Sequence, residues 1–331
     1  VAGTHYPPSA GETAIQTSTG IINQDGSFDA FPTVTPEGVD LDTARQSEST
    51  AMNDDYVAWV ETPSTDLYYD DWSVFAADIA TGTTVALGAS VEVLPDDTLP
   101  IVGPYTYVTV GDTRAWWGTP YPLGDKGEDG HYSDFGLEIL GRNLDGSGEL
   151  EVVAKGAILP SASGGDCVAF VRVNGTDTSV ADGTYVISEV CEDGVEHRLI
   201  EGELGPDGRI SDLAAGDGLL AWSIRENDDE GMPDTVDVLI FDRATGTLTD
   251  ISQIKPENNF LDVAINLAVG DGTVQWNCNR LFLYDTVTSS LWKLPGSGDV
   301  ASNAQIQGGA WLGWVTFSGT EGTTTVGRWE H

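Results

Sequence analysis

Six short apolar runs recur along this chain, each behind a turn-like pair of residues and each closing on an aromatic side chain. They read DDYVAW, GDTRAW, GDCVAF, GDGLLAW, GDGTVQW and GGAWLGW. Their last residues are Trp59, Trp116, Phe170, Trp222, Trp276 and Trp314, at steps of 57, 54, 52, 54 and 38 residues. A repeat of this length constrains the architecture more than any other feature. A unit this small cannot bury its own apolar faces, so copies must stack on one another.

Each unit carries the same order of elements: a light first strand, a tight turn, the anchor strand, a polar loop, an apolar third strand, a turn and a fourth strand. In the fourth unit these are Ile210–Ala215, the turn at Gly216, Leu219–Ile224, the loop Arg225–Thr235, Val236–Asp242, the turn Ala244–Gly246, and Leu248–Ile251. Alternating runs joined by Gly/Asp turns are hairpin signals. The third strands align as Ser73–Ile79, Phe135–Leu140, Thr184–Val190, Val236–Asp242, Leu281–Asp285 and Thr323–Trp329. First strands such as Ser161–Ser163, Ile265–Val269 and Asn303–Gln307 are short and light, as a crowded central channel requires.

Four-stranded antiparallel units at this period are propeller blades. Six anchors predict an all-β, six-bladed β-propeller over residues 47–331, with 1–46 as an N-terminal arm and closing strand. The sixth unit has only 17 residues after Trp314. Its fourth strand is therefore expected from the N-terminal segment, within Glu12–Asn23, closing the ring. Forty glycines and fifteen prolines agree with turn-rich β structure, and no stretch holds a 3.6-residue apolar period.

The 53 acidic and 14 basic residues leave a net charge of -39. Nucleic acid is excluded as a partner, because phosphate neutralisation needs clustered Lys and Arg. Anionic membrane surfaces are disfavoured for the same reason, and no run approaches the ~20 apolar residues of a spanning helix. Such acidity fits either a secreted protein or adaptation to high salt. The chain opens on Val1 rather than Met, and we expect an export signal to have been removed from a secreted or cell-surface monomer. Of three cysteines, Cys167 and Cys191 have their midpoint in the polar stretch Asn174–Gly183, where a hairpin would turn. A simple antiparallel register then sets them face to face, so a disulfide is expected, the alternative being two buried thiols. Cys278 has no evident partner.

The phrases GD-x-x-x-AW and D-x-A-T-G, the latter at Asp78–Gly82 and Asp242–Gly246, resemble the blades of TolB-like and related WD-repeat-like bacterial β-propellers. The resemblance covers about residues 47–329 and is one of fold. It implies a binding platform outside the cytoplasm. The sialidase Asp-box, the YWTD run and the paired-glycine kelch signature are missing.

Chemical motifs are sparse. There is no G-x-S-x-G elbow, so we expect no prolyl-peptidase-type hydrolase within these 331 residues. A phosphate loop and an H-E-x-x-H zinc motif are likewise missing. Acid concentrates in the loops after the anchor strands: Glu61, Asp66, Asp70 and Asp71; Asp125, Glu128, Asp129 and Asp134; Glu226, Asp228, Asp229, Glu230 and Asp234. In a propeller these loops share one face. Asp125, Glu128, Asp129, Asp134, Asp228 and Asp229 are candidate ligands for Ca²⁺, a hard cation that takes six to eight oxygens. The competing reading is solvated acid, since no loop carries the calcium phrase. The same loops hold aromatic faces for a sugar or peptide: Tyr68, Tyr69, Trp117, Tyr121 and Tyr132, with Tyr105 on the preceding connection and His131 beside them. Packing of the loops is the alternative role for these rings. The expectation is a non-catalytic propeller that binds a protein or carbohydrate through its acidic, loop-rich face. The alternative is a glycan hydrolase or lyase with carboxylates at the channel mouth.

Overall fold

Glycine-punctuated alternation makes hairpin after hairpin, and the hairpins assemble into seven antiparallel sheets. A computed structural model of the chain describes residues 2–5, 17–23, 25–36, 45–63, 71–93, 107–124, 134–172, 183–205, 208–216, 218–227, 233–251, 265–277, 281–293, 301–307, 311–318 and 321–330. Five sheets have four strands each, in simple sequential order. Blade one is β4–β7 (Arg45–Met52, Tyr56–Pro63, Ser73–Asp78, Thr84–Ala89), and blade two is β8–β11 (Val108–Val110, Arg114–Leu123, Asp134–Asn143, Glu151–Lys155). Blade three is β12–β15 (Ala157–Gly164, Cys167–Arg172, Thr184–Val190, Glu196–Glu203). Blade four is β16–β19 (Gly208–Ala215, Leu219–Asn227, Pro233–Asp242, Thr247–Asp250), and blade five is β20–β23 (Ile265–Gly270, Thr273–Asn277, Leu281–Asp285, Ser290–Lys293).

The chain is thus an all-β propeller with five blades, not six. Two three-stranded sheets remain: β1–β3 (Ala2–His5, Ser18–Ile22, Phe28–Ala30) and β24–β26 (Ala301–Gln307, Trp311–Ser318, Glu321–Arg328). The sixth anchor, Trp314, does lie in a second strand, β25, but its sheet has no fourth strand among the described residues. The expected donor was the N-terminal segment, and its strand β2 is already committed. Gly20 pairs with Gly3 on one side and Ala30 on the other, so both hydrogen-bonding edges are occupied. Ring closure by that strand is therefore overturned.

The N-terminal sheet has a different task. Successive side chains of a strand point to opposite faces. In β5, Val57 and Trp59 face one way, Ala58 and Val60 the other. Val57, Trp59, Phe75 and Ala77 form a cluster covered by Ala2, Ile21, Phe31 and Val34. Trp59 stacks on Phe75 at 5.4 Å and on Phe31 at 5.8 Å between ring centres. The first blade thus has an apolar face with no preceding blade, and the N-terminal sheet covers it. Its opposite face, with Ala58, Val60, Val74 and Ala76, packs on Val108, Ala115, Trp117 and Leu140 of blade two.

By packing, the chain divides into two compact units, one of Val1–Pro160 with Val173–Thr176, the other of Ser161–Arg172 with Asp177–His331. In the second unit Leu219, Ala221, Val236, Val238 and Ile240 of blade four meet Val274, Trp276, Phe282 and Tyr284 of blade five. Five of the six anchors, Trp59, Trp116, Phe170, Trp222 and Trp276, are buried.

The recurring D-x-A-T-G phrase acquires a physical reason. Asp78 Oδ1 accepts the Thr81 N–H, Asp242 Oδ1 accepts those of Ala244 and Thr245, and Asp285 Oδ1 accepts those of Val287 and Thr288. An aspartate bonding two or three residues ahead builds the turn between third and fourth strands. Cys167 and Cys191 are joined by a disulfide one step beyond the Val168–Val190 pair. With a sequence separation of 24, the bridge contributes roughly 3 kcal/mol in the chain-entropy treatment.

Two glycines are needed for close approach. Tyr121 lies across Gly136 on the neighbouring strand, and Tyr185 across Gly202. A methyl group at Gly202 would stand 2.4 Å from Tyr185 Cζ, and one at Gly136 2.5 Å from Tyr121 Cζ. The Tyr185 ring cannot swing away freely, because its hydroxyl accepts the Trp222 Nε1–H at 3.0 Å. Gly202→Ala is therefore expected to cost about 1–3 kcal/mol in chemical denaturation, as overpacking does. A variant indistinguishable from wild type would show that the ring relocates without penalty.

Candidate functional site

The second and third strands of blades two and four outrun their neighbours. β9 and β10 have 10 residues each, β17 has 9 and β18 has 10, whereas β21 and β22 of blade five have 5 each. In blade two, β8 pairs with β9 only through Ala115–Trp117, and β11 pairs with β10 only through Glu138–Gly141. Among the described residues, Pro120–Leu123 and Asp134–Leu137 therefore continue as a two-stranded ribbon past the paired lengths of β8 and β11.

The ribbon carries Tyr121, half-buried over Gly136, with Lys155 Nζ 4.7 Å from its ring centre. Lys155 Nζ also lies 3.7 Å from Oε2 of Glu138, a carboxylate that is almost wholly buried. Burial pushes the Glu138 carboxyl above its ordinary range, and the ammonium group opposes that only in part.

At the corresponding end of blade one, Arg45 opens the innermost strand and is nearly fully buried. Its Nη1 donates to both oxygens of Asp71 at 3.0 and 3.1 Å, and its Nη2 to the Glu61 carbonyl at 3.0 Å. The Glu61 side chain accepts the Trp59 Nε1–H at 2.8 Å. Burial raises the Glu61 carboxyl, while the indole hydrogen bond and the Arg45 charge pull the other way. Glu61 and Asp71 are thus both tied to a buried arginine, Glu61 half-buried and Asp71 with 45% of its side chain still exposed.

The innermost strands are linked by a repeating device. A side chain on one first strand accepts a backbone N–H of the next. Ser49 Oγ takes Val108 N–H at 3.2 Å, Ser161 Oγ takes Ala215 N–H at 2.9 Å, and Asp212 Oδ2 takes Leu267 N–H at 2.8 Å. Only at the last of these three links is the acceptor a carboxylate. Its other oxygen takes the Leu213 N–H at 2.9 Å. Asp212 as a residue keeps some solvent contact, but its carboxyl group is enclosed by protein, and that enclosure governs its titration. Desolvation lifts it from 3.8 to about 6 against three backbone hydrogen bonds.

Of the aromatic candidates, Trp117 is a core residue, fully buried and edge-on to Trp72 at 6.0 Å. Its position one residue past the anchor turns it to the face toward blade one, away from any ligand. Tyr121 is on the ribbon. Tyr68, Tyr69, Tyr105, His131 and Tyr132 lie outside the described residues, as do Asp125, Glu128, Asp129, Asp228 and Asp229. Asp134 begins β10. Among the described residues one group has metal-ligand spacing, Cys167, Glu189 and Cys191. Its sulfurs form the disulfide, and Glu189 Oε1 accepts from Ser163 Oγ at 2.5 Å and Arg243 Nη2 at 2.7 Å. Sequence reasoning missed Arg45 and Asp212. Arg45 falls before the repeat, yet a cation opening a light inner strand in so acidic a chain was a usable signal.

No family model matches the chain, and no curated protein matches it. Among solved structures it is similar to the acylaminoacyl peptidase of Pyrococcus horikoshii, with a TM-score of 0.59 at 12% identity over 99% of this chain and 49% of that one. It is also similar to an acylaminoacyl peptidase in complex with Z-Gly-Gly-Phe-chloromethyl ketone (0.54, 10%, 95% and 47%). A puromycin hydrolase is a third (0.53, 14%, 95% and 48%). At these identities the likeness shows the fold alone, a β-propeller like those of the peptidases, and does not single out the TolB-like group. The chain spans about half the length of each of these proteins.

Proposed function

We propose that this chain is a non-catalytic, extracytoplasmic binding propeller of TolB-like kind, holding a protein or glycan at the end where the β9–β10 ribbon projects. The ribbon carries the reading. Its root is core, with Thr119 and Leu137 buried, but Tyr121, Pro122 and Leu123 further out keep solvent contact, and a contact surface accounts for that outer part better than stability does. The Cys167–Cys191 disulfide supports an oxidising location. The charge of -39 favours a basic or neutral partner over a polyanion.

A second reading is a glycan hydrolase or lyase. It is favoured by the raised carboxyls of Glu61 and Glu138, because acids held protonated nearer neutrality suit proton donation.

The test replaces residues 121–136 by a two-residue Asn-Gly turn and compares both proteins on glycan and peptide arrays. The trimmed protein is expected to keep its β circular dichroism and its melting temperature to within a few degrees, and to lose array binding by about tenfold or more. Turnover of a glycan or peptide substrate by the intact chain, abolished by Glu61→Gln or Glu138→Gln, would replace the first reading with the second.

A further inference from the structure

Lys155 ends the outermost strand of blade two and stands directly across from Glu138 on β10, which in turn faces Thr119 on β9. Side chains opposite one another on a ladder project to one face, and so do residues two apart along a strand. Tyr121 is two residues beyond Thr119, and its ring lies over Gly136, where no Cβ obstructs it. A phenol ring, a carboxylate and an ammonium group thus meet at the root of the ribbon.

Their fit is incomplete in one respect. The Glu138 side chain is only 6% exposed, yet its Oε2 is buried without a hydrogen-bond partner. The Lys155 ammonium group lies 3.7 Å from that oxygen, an ion contact longer than a hydrogen bond, and 4.7 Å from the Tyr121 ring centre. With 60% of its side chain exposed, Lys155 keeps most of its hydration and is free to swing into solvent. Other buried carboxylates of this protein are closed by direct donors. Glu189 Oε1 takes the Arg243 Nη2–H at 2.7 Å, and Asp212 Oδ2 takes the Leu267 N–H at 2.8 Å. A lysine offers a compact charge on a flexible stem, whereas a guanidinium carries a planar fork that pairs with a carboxylate and stacks on a ring. The carboxylate and ring at the ribbon root therefore suit an arginine better than the lysine beside them.

We propose that Glu138 and Tyr121 form a receptor for one arginine side chain of a basic peptide segment in the bound partner, and that Lys155 is an internal stand-in which this arginine displaces. The proposal rests on the ribbon-end binding reading and deepens it, by taking a protein rather than a glycan as the partner. The net charge of -39 draws a basic segment toward the protein. A neutral sugar brings no charge to replace that of Lys155, so displacing the ammonium group would leave a buried carboxylate without a counter-charge. An arginine exchanges one cation for another and adds the fork. The stand-in spares the free protein an unpaired buried charge. It also lowers the apparent affinity by the fraction of molecules in which Lys155 holds the site.

The probe is the peptide acetyl-Gly-Gly-Arg-Gly-Gly-amide, titrated by calorimetry at physiological ionic strength, where the field of distant acids is screened beyond about 8 Å. The same peptide with citrulline, which has the shape of arginine without its charge, is the control and is expected to bind about tenfold more weakly or less. Lys155→Met keeps the apolar stem and removes the competing cation, so the arginine peptide is expected to bind about threefold to tenfold more tightly. Adding Glu138→Gln to that variant is expected to cancel the gain and weaken binding by about another tenfold, as loss of a charged hydrogen bond does. Lys155→Arg supplies the guanidinium from within, and is expected to weaken the probe by about tenfold and to melt at or above the wild-type temperature. Weaker binding by Lys155→Met would make the lysine a ligand contact and overturn the proposal, as would equal binding of the citrulline peptide or no saturable binding. Should Lys155→Met fail to fold, Lys155→Arg decides alone, and an unchanged affinity there removes the stand-in. A lysine peptide that binds as tightly would overturn the arginine assignment. Glycan binding lost in Glu138→Gln, with the arginine peptide unaffected, would give the site to a sugar instead. If ribbon trimming leaves array binding intact while the arginine peptide depends on Glu138 in the full chain, the ribbon reading fails and the receptor stands. Array binding lost on trimming but untouched by Glu138→Gln removes the receptor alone.

Discussion

Replacing Trp222 by alanine is expected to destabilise the protein by about 4 kcal/mol, the middle of the range for emptying a buried aromatic site. Trp222 is fully buried in β17, its ring centre 6.2 Å from that of Tyr185 in blade three. Its indole N–H is the donor to the Tyr185 hydroxyl, which burial holds above its ordinary pKa. The substitution removes dispersion contacts across the junction of blades three and four and leaves a buried hydroxyl without its donor. The cavity cannot collapse easily, because a rigid sheet stands on either side. Trp222→Phe isolates the two contributions. It keeps most of the apolar contact and gives up the N–H, so about 1–2 kcal/mol is expected. Urea denaturation followed by far-ultraviolet circular dichroism measures both, provided the denaturant slope is unchanged. Equal losses for the two variants would mean that the hydrogen bond, and not the packing, holds the junction.

The stability of wild type relative to Asp212→Asn is expected to fall by up to about 3 kcal/mol between pH 4 and pH 7. The folded pKa of Asp212 is raised from 3.8 to about 6. Within that window the native state binds more protons than the unfolded chain, so stability declines as pH rises and levels off above about 6. Below 3.8 both states are protonated and the contribution is constant. A shift of this size corresponds to about 3 kcal/mol. Asparagine keeps one oxygen for the Leu267 and Leu213 N–H groups but does not titrate, so its own dependence on pH lacks this component. The general repulsion of a chain at -39 also eases as pH falls, in both proteins alike, and cancels in the comparison. Parallel stability–pH curves for the two would show that Asp212 is not desolvated as described.

Arg45 and Asp212 have a common physical basis. Each places a charge on an innermost strand, where backbone groups of adjoining strands and loops converge. The exposed alternative would cost nothing in desolvation. Both are retained where several donors or acceptors meet, which is where a charge can be satisfied inside a protein.

Much of the fold was legible in the chain. The third strand predicted at Leu281–Asp285 matches β22, and that at Thr184–Val190 matches β14. The loop predicted over Arg225–Thr235 is shorter, because β17 runs on to Asn227 and β18 starts at Pro233. Polar residues there had looked like loop. Ladder hydrogen bonds carry a two-stranded ribbon past the end of the apolar pattern, and hydrophobic alternation cannot reveal that. Trp117 was legible only by parity: a shift of one residue along a strand exchanges one face for the other.

By itself the sequence determined the unit. Aromatic anchors, Gly/Asp turns and alternating runs specify a four-stranded hairpin sheet, because these are local choices of backbone angle and side-chain direction. The number of such sheets and the covering of the first one were decided by tertiary structure. A strand has two edges, and β2 spends both on β1 and β3, while Ile21 covers the face bearing Trp59. Edge pairing is a competition among distant segments, and no local pattern records which segment wins.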